Sequence, residues 1–188
     1  MAVMKATLAA CRFWCVEDVF GQMKGVKSTQ VGYTEGRLKN PTYKDIFIGR
    51  TSHAEGIDIE FNPSEISNDE PLELFWSNRD QITLNGQGSD FGTQYRSAIF
   101  FYDKEQEAKT KESKELLQNS GRHDSRIVTE IKPASEFYKS EEYHLKYFQK
   151  CTLWNDRLGR ENFSDISRSG DLPSHKWHVA GSRGTWAY

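Results

Sequence analysis

Cys11-Arg12-Phe13-Trp14-Cys15-Val16-Glu17 stands between a short apolar run, Ala6 to Ala10, that reads as a buried strand and an amphipathic run, Val16 to Met23, that reads as a helix. A strand-to-helix junction aims a few side chains and the first unpaired N–H groups of the helix at one spot. Two adjacent aromatics are unusual there, because a turn has little need of them. They read as the walls of a concave site; taken alone, two core residues at a turn would account for them equally well.

Working outward, Val16, Val19, Phe20 and Met23 share one helix face, and Gly25 closes the helix as a C-cap residue. Strands are predicted over Val26 to Tyr33, His53 to Asn62, Ser97 to Tyr102 and Arg126 to Ile131. Helices are predicted over Tyr43 to Ile48, from Pro63 through Trp76, over Lys104 to Asn119 and over Glu141 to Lys150. Asn78 to Gln94 reads as one long polar loop, and a loop of that length in a compact domain is more often functional than idle. Strands and helices alternate irregularly, so the expected class is α+β, a mixed β-sheet covered by helices in two layers. That domain is expected over residues 1–150. From Cys151 to Tyr188 aliphatic residues thin out and Trp154, Trp177 and Trp186 stand among Arg, Ser and Gly, the pattern of an extended arm ordered against a protein partner.

Composition sets outer limits. A chain of 188 residues suits one domain with a real core. A net charge of -2 offers no electrostatic case for nucleic acid or an anionic membrane as partner, and no apolar run reaches membrane-spanning length. The first strand starts almost at once, leaving no room for a signal or transit peptide. Three cysteines, two of them only four apart, point to a reduced, intracellular and cytoplasmic protein. With no histidine near Cys11 and Cys15 in sequence, no metal site is expected.

The opening stretch resembles the active-site signature of the A-type peptide methionine sulfoxide reductases, Gly-Cys-Phe-Trp-Gly-x-Glu. Phe13, Trp14 and Glu17 match it; Arg12 stands at the nucleophilic cysteine, and Cys11 and Cys15 stand at the two glycines. Further matches follow in the family's order: Val31-Gly32-Tyr33, Asn40-Pro41-Thr42-Tyr43, Thr51-Ser52-His53-Ala54-Glu55, Gly88-Ser89-Asp90 through Ile99, Thr129-Glu130-Ile131 and Glu141-Glu142-Tyr143-His144. Ser52 and Glu35 fall where the family usually has glycine, and Arg79 where it tends to have histidine.

Reducing a sulfoxide requires protonation of its oxygen and attack of a thiolate on sulfur, leaving a sulfenic acid on the enzyme and a free thioether. The resemblance assigns the methyl slot to Phe13 and Trp14, the acid to Glu55, and the orientation of oxygen and water to Tyr43, Tyr95 and Asp90. It implies no prosthetic cofactor, and thioredoxin or a small thiol as reductant. Taken singly, these residues read as core aromatics, loop tyrosines, a strand carboxylate and an Asx turn; together, in this order, they read as a pocket.

Arginine cannot act as the nucleophile. The family geometry implies a bidentate Arg12–Glu55 pair that fills the pocket and lowers the Glu55 pKa. Cys15, on the first helical turn and with a thiol pKa lowered by the helix N-terminus, is the better substitute nucleophile; Cys11 points elsewhere. No cysteine follows Cys151 to serve as a resolving thiol in the tail. The leading expectation is a family member without reductase chemistry, acting as a structural or binding module in a larger assembly. The alternative is a reductase working through Cys15 or Cys11. A third reading is a protein that binds oxidised-methionine peptides without reducing them.

Overall fold

In the computed structural model, residues 3–67 and 69–151 are described, and the elements below belong to the unit Met1–Phe148. The expected arm over 151–188 lies, Cys151 apart, outside the described residues.

Six strands form one mixed sheet in the order β7-β6-β1-β3-β2-β8. They are β1 (Met4–Ala9), β2 (Val26–Thr34), β3 (Ala54–Phe61), β6 (Ala98–Phe101), β7 (Glu130–Pro133) and β8 (Phe137–Lys139), with only the β6–β7 pair parallel. A separate hairpin pairs β4 (Gly86–Gln87) with β5 (Asp90–Phe91). The helices are α1 (Phe13–Gly21), α2 (Tyr43–Phe47), α3 (Asp69–Ser77) and α4 (Lys104–Asn119). This is the α+β arrangement expected.

Period-two alternation puts Ile57, Ile59 and Phe61 of β3 on one face, beside Leu8 and Val31 of its neighbours. Phe13, Val16 and Phe20 of α1 and Leu72 and Phe75 of α3 close over that face, and all ten are buried. Burying each such side chain contributes roughly 1.5–3 kcal/mol. The opposite face carries small residues, Ala9, Ala54 and Ala98, with Phe100. Helix α4 contributes little core: Thr110 is its buried residue, and it is held by an Asp103 N-cap and by Glu105–Lys109 and Glu107–Lys111 pairs.

Several boundaries differ from expectation. Pro63 opens a turn rather than a helix, and α3 begins at Asp69. The last predicted strand starts at Glu130, four residues late, because Val128 donates its N–H to Gln81 O in a loop instead of a ladder. The predicted helix over Glu141 to Lys150 is divided: a 3-10 turn, Glu142–His144, comes first, and helical residues follow from Tyr147 only after a break at Lys146, whose φ is +51°. The long polar loop contains the β4–β5 hairpin, pinned by Asp80, whose carboxylate accepts the Ile82 and Thr83 N–H groups. Strand β8 went unpredicted because three residues carry too little periodicity.

Three residues at glycine positions of the signature motifs have a backbone that glycine adopts far more readily: Cys11 at φ +141°, Glu35 at φ +62° and Ser52 at φ +62°. Ser52→Gly and Glu35→Gly are each expected to stabilise the protein by up to about 1 kcal/mol, relief of left-handed strain outweighing the extra freedom of the unfolded chain. Chemical denaturation checks this; unchanged or lower midpoints would show that neither residue is strained.

Candidate active site

Strand register brings the matched motifs to one end of the sheet. Tyr33 pairs with Glu55, Leu8 with Ile57 and Ala9 with Ala98, so β1 and β2 end where β3 and β6 begin. Helix α1 starts directly after β1, and the Phe13 N–H, one of its unpaired first-turn donors, reaches Glu55 Oε2 at 3.3 Å. Helix α2 is started by a capping box: Thr42 accepts the Asp45 N–H while Asp45 accepts the Thr42 N–H. That box sets Tyr43 as the first helical residue. Asp90 arrives on the β4–β5 hairpin and Tyr95 on a 3-10 turn, Thr93–Tyr95.

The matched aromatics pack together. Phe13 lies 5.7 Å from Trp14, 5.7 Å from Tyr33 and 6.4 Å from Tyr43, ring centre to ring centre. Trp14 lies 6.1 Å from Tyr43. Phe13 is fully buried, Trp14 and Tyr95 nearly so, and Tyr43 half-buried.

Glu55 is 2% exposed, and its pKa is pushed from 4.5 up to about 8. Burial is the largest cause; the Phe13 N–H and the nearby Arg12 pull the other way and lose. Glu55 is therefore mostly protonated at pH 7, a carboxylic acid able to donate. Tyr43 and Tyr95 are both raised, first by burial and then by the Glu55 charge.

Arg12 departs from expectation. Its carboxylate partner is Asp90, Nη2 to Oδ1 at 2.5 Å, not a bidentate pair with Glu55. The side chains are only 12% and 8% exposed, so this is a largely desolvated pair rather than a surface one. Its geometric reason lies in the hairpin, which swings Asp90 towards the start of α1. Burial lowers the guanidinium pKa, but the Asp90 hydrogen bond and charge outweigh it and raise the value overall.

The thiols also depart. Cys11 is pushed up to about 12 and Cys15 to about 11, burial being the first cause for each. The expected lowering at the helix N-terminus is overridden; for Cys15 the Arg12 charge acts downward and is outweighed by burial. Burial therefore favours the protonated thiol at both positions at pH 7.

Five hydrogen bonds, accepted by three residues, went unforeseen. Glu141 Oε2 accepts the Tyr33 hydroxyl at 3.0 Å, and its Oε1 accepts the Tyr43 N–H at 2.9 Å. His144 Nδ1 accepts the Trp14 indole N–H at 3.1 Å. Glu17, matched in the opening signature, accepts the Lys146 N–H at 2.6 Å and the Thr29 hydroxyl at 3.2 Å. The Glu-Glu-Tyr-His run was the available signal, but a charged, aromatic tetrapeptide does not reveal its partners. Among the described residues no group of three His, Cys, Asp or Glu could hold a metal ion, and no helix is long and apolar enough to cross a membrane.

Comparison with known proteins agrees with this geometry. Residues 4–163 match the family model described as peptide methionine sulfoxide reductase. The chain is 53% identical over 146 residues to the peptide methionine sulfoxide reductase MsrA of Methanococcoides burtonii, covering 78% of this chain and 95% of that one. It is 47% identical over 142 residues to peptide methionine sulfoxide reductase A1 of Arabidopsis thaliana, covering 76% and 69%. Among solved structures, reduced Mxr1 from Saccharomyces cerevisiae superposes with a TM-score of 0.73 at 30% identity, covering 79% of this chain and 85% of that one. Methionine sulfoxide reductase A of Corynebacterium diphtheriae superposes with a TM-score of 0.72 at 31% identity, covering 80% and 76%.

Between pH 4.5 and 8 the native chain holds a proton on Glu55 that the unfolded chain has released, so Glu55 lowers stability as pH rises through that window. His144, depressed from 6.5 to about 4, acts oppositely and only below pH 6.5. Unfolding free energy is therefore expected to fall by about 2 kcal/mol from pH 6.5 to 8, and Glu55→Gln to remove most of that slope. Equal slopes in urea titrations of the two proteins would refute the raised pKa.

Proposed function

The chain belongs to the peptide methionine sulfoxide reductase family, and from that premise we propose that it keeps the sulfoxide-recognition pocket while lacking the reductase thiol, and so binds oxidised methionine without turning it over. One observation carries the reading: a guanidinium held on Asp90 occupies the start of α1, beside an acid, Glu55, that is still protonated. The family's reaction needs a proton donor and a thiolate at that spot. This chain retains the donor and presents a cation in place of the nucleophile.

Each residue then has a role in binding. Phe13 and Trp14 supply an apolar slot for the S-methyl group. Glu55, Tyr43 and Tyr95 offer O–H donors to the sulfoxide oxygen, a strong neutral acceptor. Asp90 neutralises Arg12, which leaves the site uncharged and suited to a dipolar ligand rather than an anion. A protein partner would be reached through the arm 151–188, making the domain a module of a larger assembly.

The second reading, a reductase acting through Cys15 or Cys11, is favoured by family membership and by the retained acid. Against it stand two thiols that burial keeps protonated and a displacement geometry that a nucleophile three residues away would have to meet. A working enzyme would draw on thioredoxin or a small thiol and no prosthetic group.

The test is reduction of a methionine-(S)-sulfoxide peptide with dithiothreitol by the natural chain and by Arg12→Cys, together with calorimetric binding of the same peptide. The natural chain is expected to bind the peptide and form no methionine, and Arg12→Cys to gain turnover by at least about a hundredfold over it. Methionine formation by the natural chain, abolished in Cys15→Ser or Cys11→Ser, would replace this reading with the second. Absence of binding heat would remove sulfoxide recognition altogether.

A further inference from the structure

The outer edge of the sheet, at β7, carries a charge arrangement that the candidate active site does not use. On α4, Lys109 pairs with Glu105 and Lys111 with Glu107. On β7, Lys132 pairs with Glu130 and Glu35, and Glu130 also meets Arg96. Two cations between these pairs are left over. Lys114 of α4 and Arg126, in the extended stretch that leads into β7, line one groove of about 530 Å³, together with the chain from 127 to 132. Among the described residues neither has a carboxylate partner, and the Arg126 guanidinium makes no hydrogen bond.

The fold holds these two cations together. Lys114 Nζ donates to Thr129 O at 2.7 Å, which leaves two of its ammonium protons for other acceptors. Gln118, one turn further along α4, grips the chain on both sides of Arg126: its Oε1 accepts the Ile127 N–H at 2.7 Å and its Nε2 donates to Ser125 O at 3.3 Å. Val128 is tied down through its N–H to Gln81 O at 2.8 Å. Burial and then the Arg126 charge lower the Lys114 pKa, as expected for like charges brought together without a counter-ion. Arg126 itself is exposed, so its donors are open to a ligand.

An anion would complete this arrangement. One carboxylate would neutralise only one of the two cations. A phosphate monoester carries a charge of about -1.5 to -2 near neutral pH and offers three acceptor oxygens, enough for the ammonium and for a bidentate guanidinium. The groove falls within the range of roughly 300–1,000 Å³ typical of small-molecule sites. Val128 and Ile131, both half-buried, give it apolar surface for the rest of such a molecule. Glu130 also lines it, with its charge already met by Arg96 at 3.4 Å and Lys132 at 3.0 Å.

We propose that the groove between α4 and residues 126–132 binds a phosphate monoester, with the dianionic group on Lys114 and Arg126 and the organic part against Val128 and Ile131. The site shares no residue with the candidate active site and stands whether or not the sulfoxide reading holds.

The test titrates the full ¹⁵N-labelled chain at pH 7.5 and constant ionic strength with phenyl phosphate, with a phosphoserine peptide and with sodium chloride. Phenyl phosphate is expected to shift the amides of residues 126–132 saturably, and chloride to leave them in place. Arg126→Gln and Lys114→Gln should each weaken binding by at least about tenfold. Lys111→Gln, which removes an α4 lysine already paired with Glu107, should change it by less than about twofold. Absence of a saturable shift with either phosphate compound overturns the proposal. So does an equal loss in Lys111→Gln, which would show diffuse attraction to a basic surface only. Should Lys114→Gln fail to fold, the exposed Arg126 variant decides. Tighter binding of phenyl phosphate would assign the site to a small phosphorylated molecule, and tighter binding of the peptide to a phosphorylated side chain; either upholds the phosphate site.

Discussion

Phe13 donates its backbone N–H to Glu55 Oε2 across the end of the sheet, and the candidate site is built on that bond. A helix must find acceptors for its first amides, and a carboxyl group at full burial must find donors or stay neutral. Here the two needs meet. The bond ties the first turn of α1 to the first residues of β3, which sets Phe13 and Trp14 beside Glu55 and aims Arg12 at the hairpin. It is one weak donor against complete desolvation, and desolvation wins, so Glu55 keeps its proton near neutral pH.

Around this bond, two carboxylates from different segments act as ties. Glu17 binds α1 to the segment after the 3-10 turn, and Glu141 binds that segment to β2 and α2. Each accepts two hydrogen bonds; Glu17 does so from a buried position, where such bonds gain strength and where removing one partner leaves the other stranded. The candidate site is thus braced by polar contacts between elements far apart in sequence, while the apolar face of the sheet supplies the bulk of the stability. Strain is concentrated in the same region: Cys11, Glu35 and Ser52 hold positive φ values within the motifs that form the site.

Much of the fold was legible. Ile57, Ile59 and Phe61 alternate as a half-buried strand does, Val16 and Phe20 recur as a helix face does, and α4 was read to the residue because Asp103 and Asn119 bound a clear polar run. The candidate site residues were legible as a set, through their order along the chain. Their partners were not. Nothing in the sequence distinguishes Asp90 from Glu55 as the partner of Arg12, because the choice depends on where a two-residue hairpin turns. The thiol shifts were misread for a related reason: the helix N-terminus is visible in sequence, whereas the burial that overrides it is not.

The sequence by itself determined most of the element types, the family and the list of candidate site residues, because side-chain periodicity and residue type are local properties. It also determined that Arg12 carries a permanent cation and no nucleophilic sulfur, since no environment changes that chemistry. The tertiary structure alone decided the burial that raises Glu55 and both thiols, Cys11 and Cys15, and the pairing of Arg12 with Asp90. Each of these depends on desolvation or on contact between segments distant in the chain, and neither quantity exists until the chain is folded.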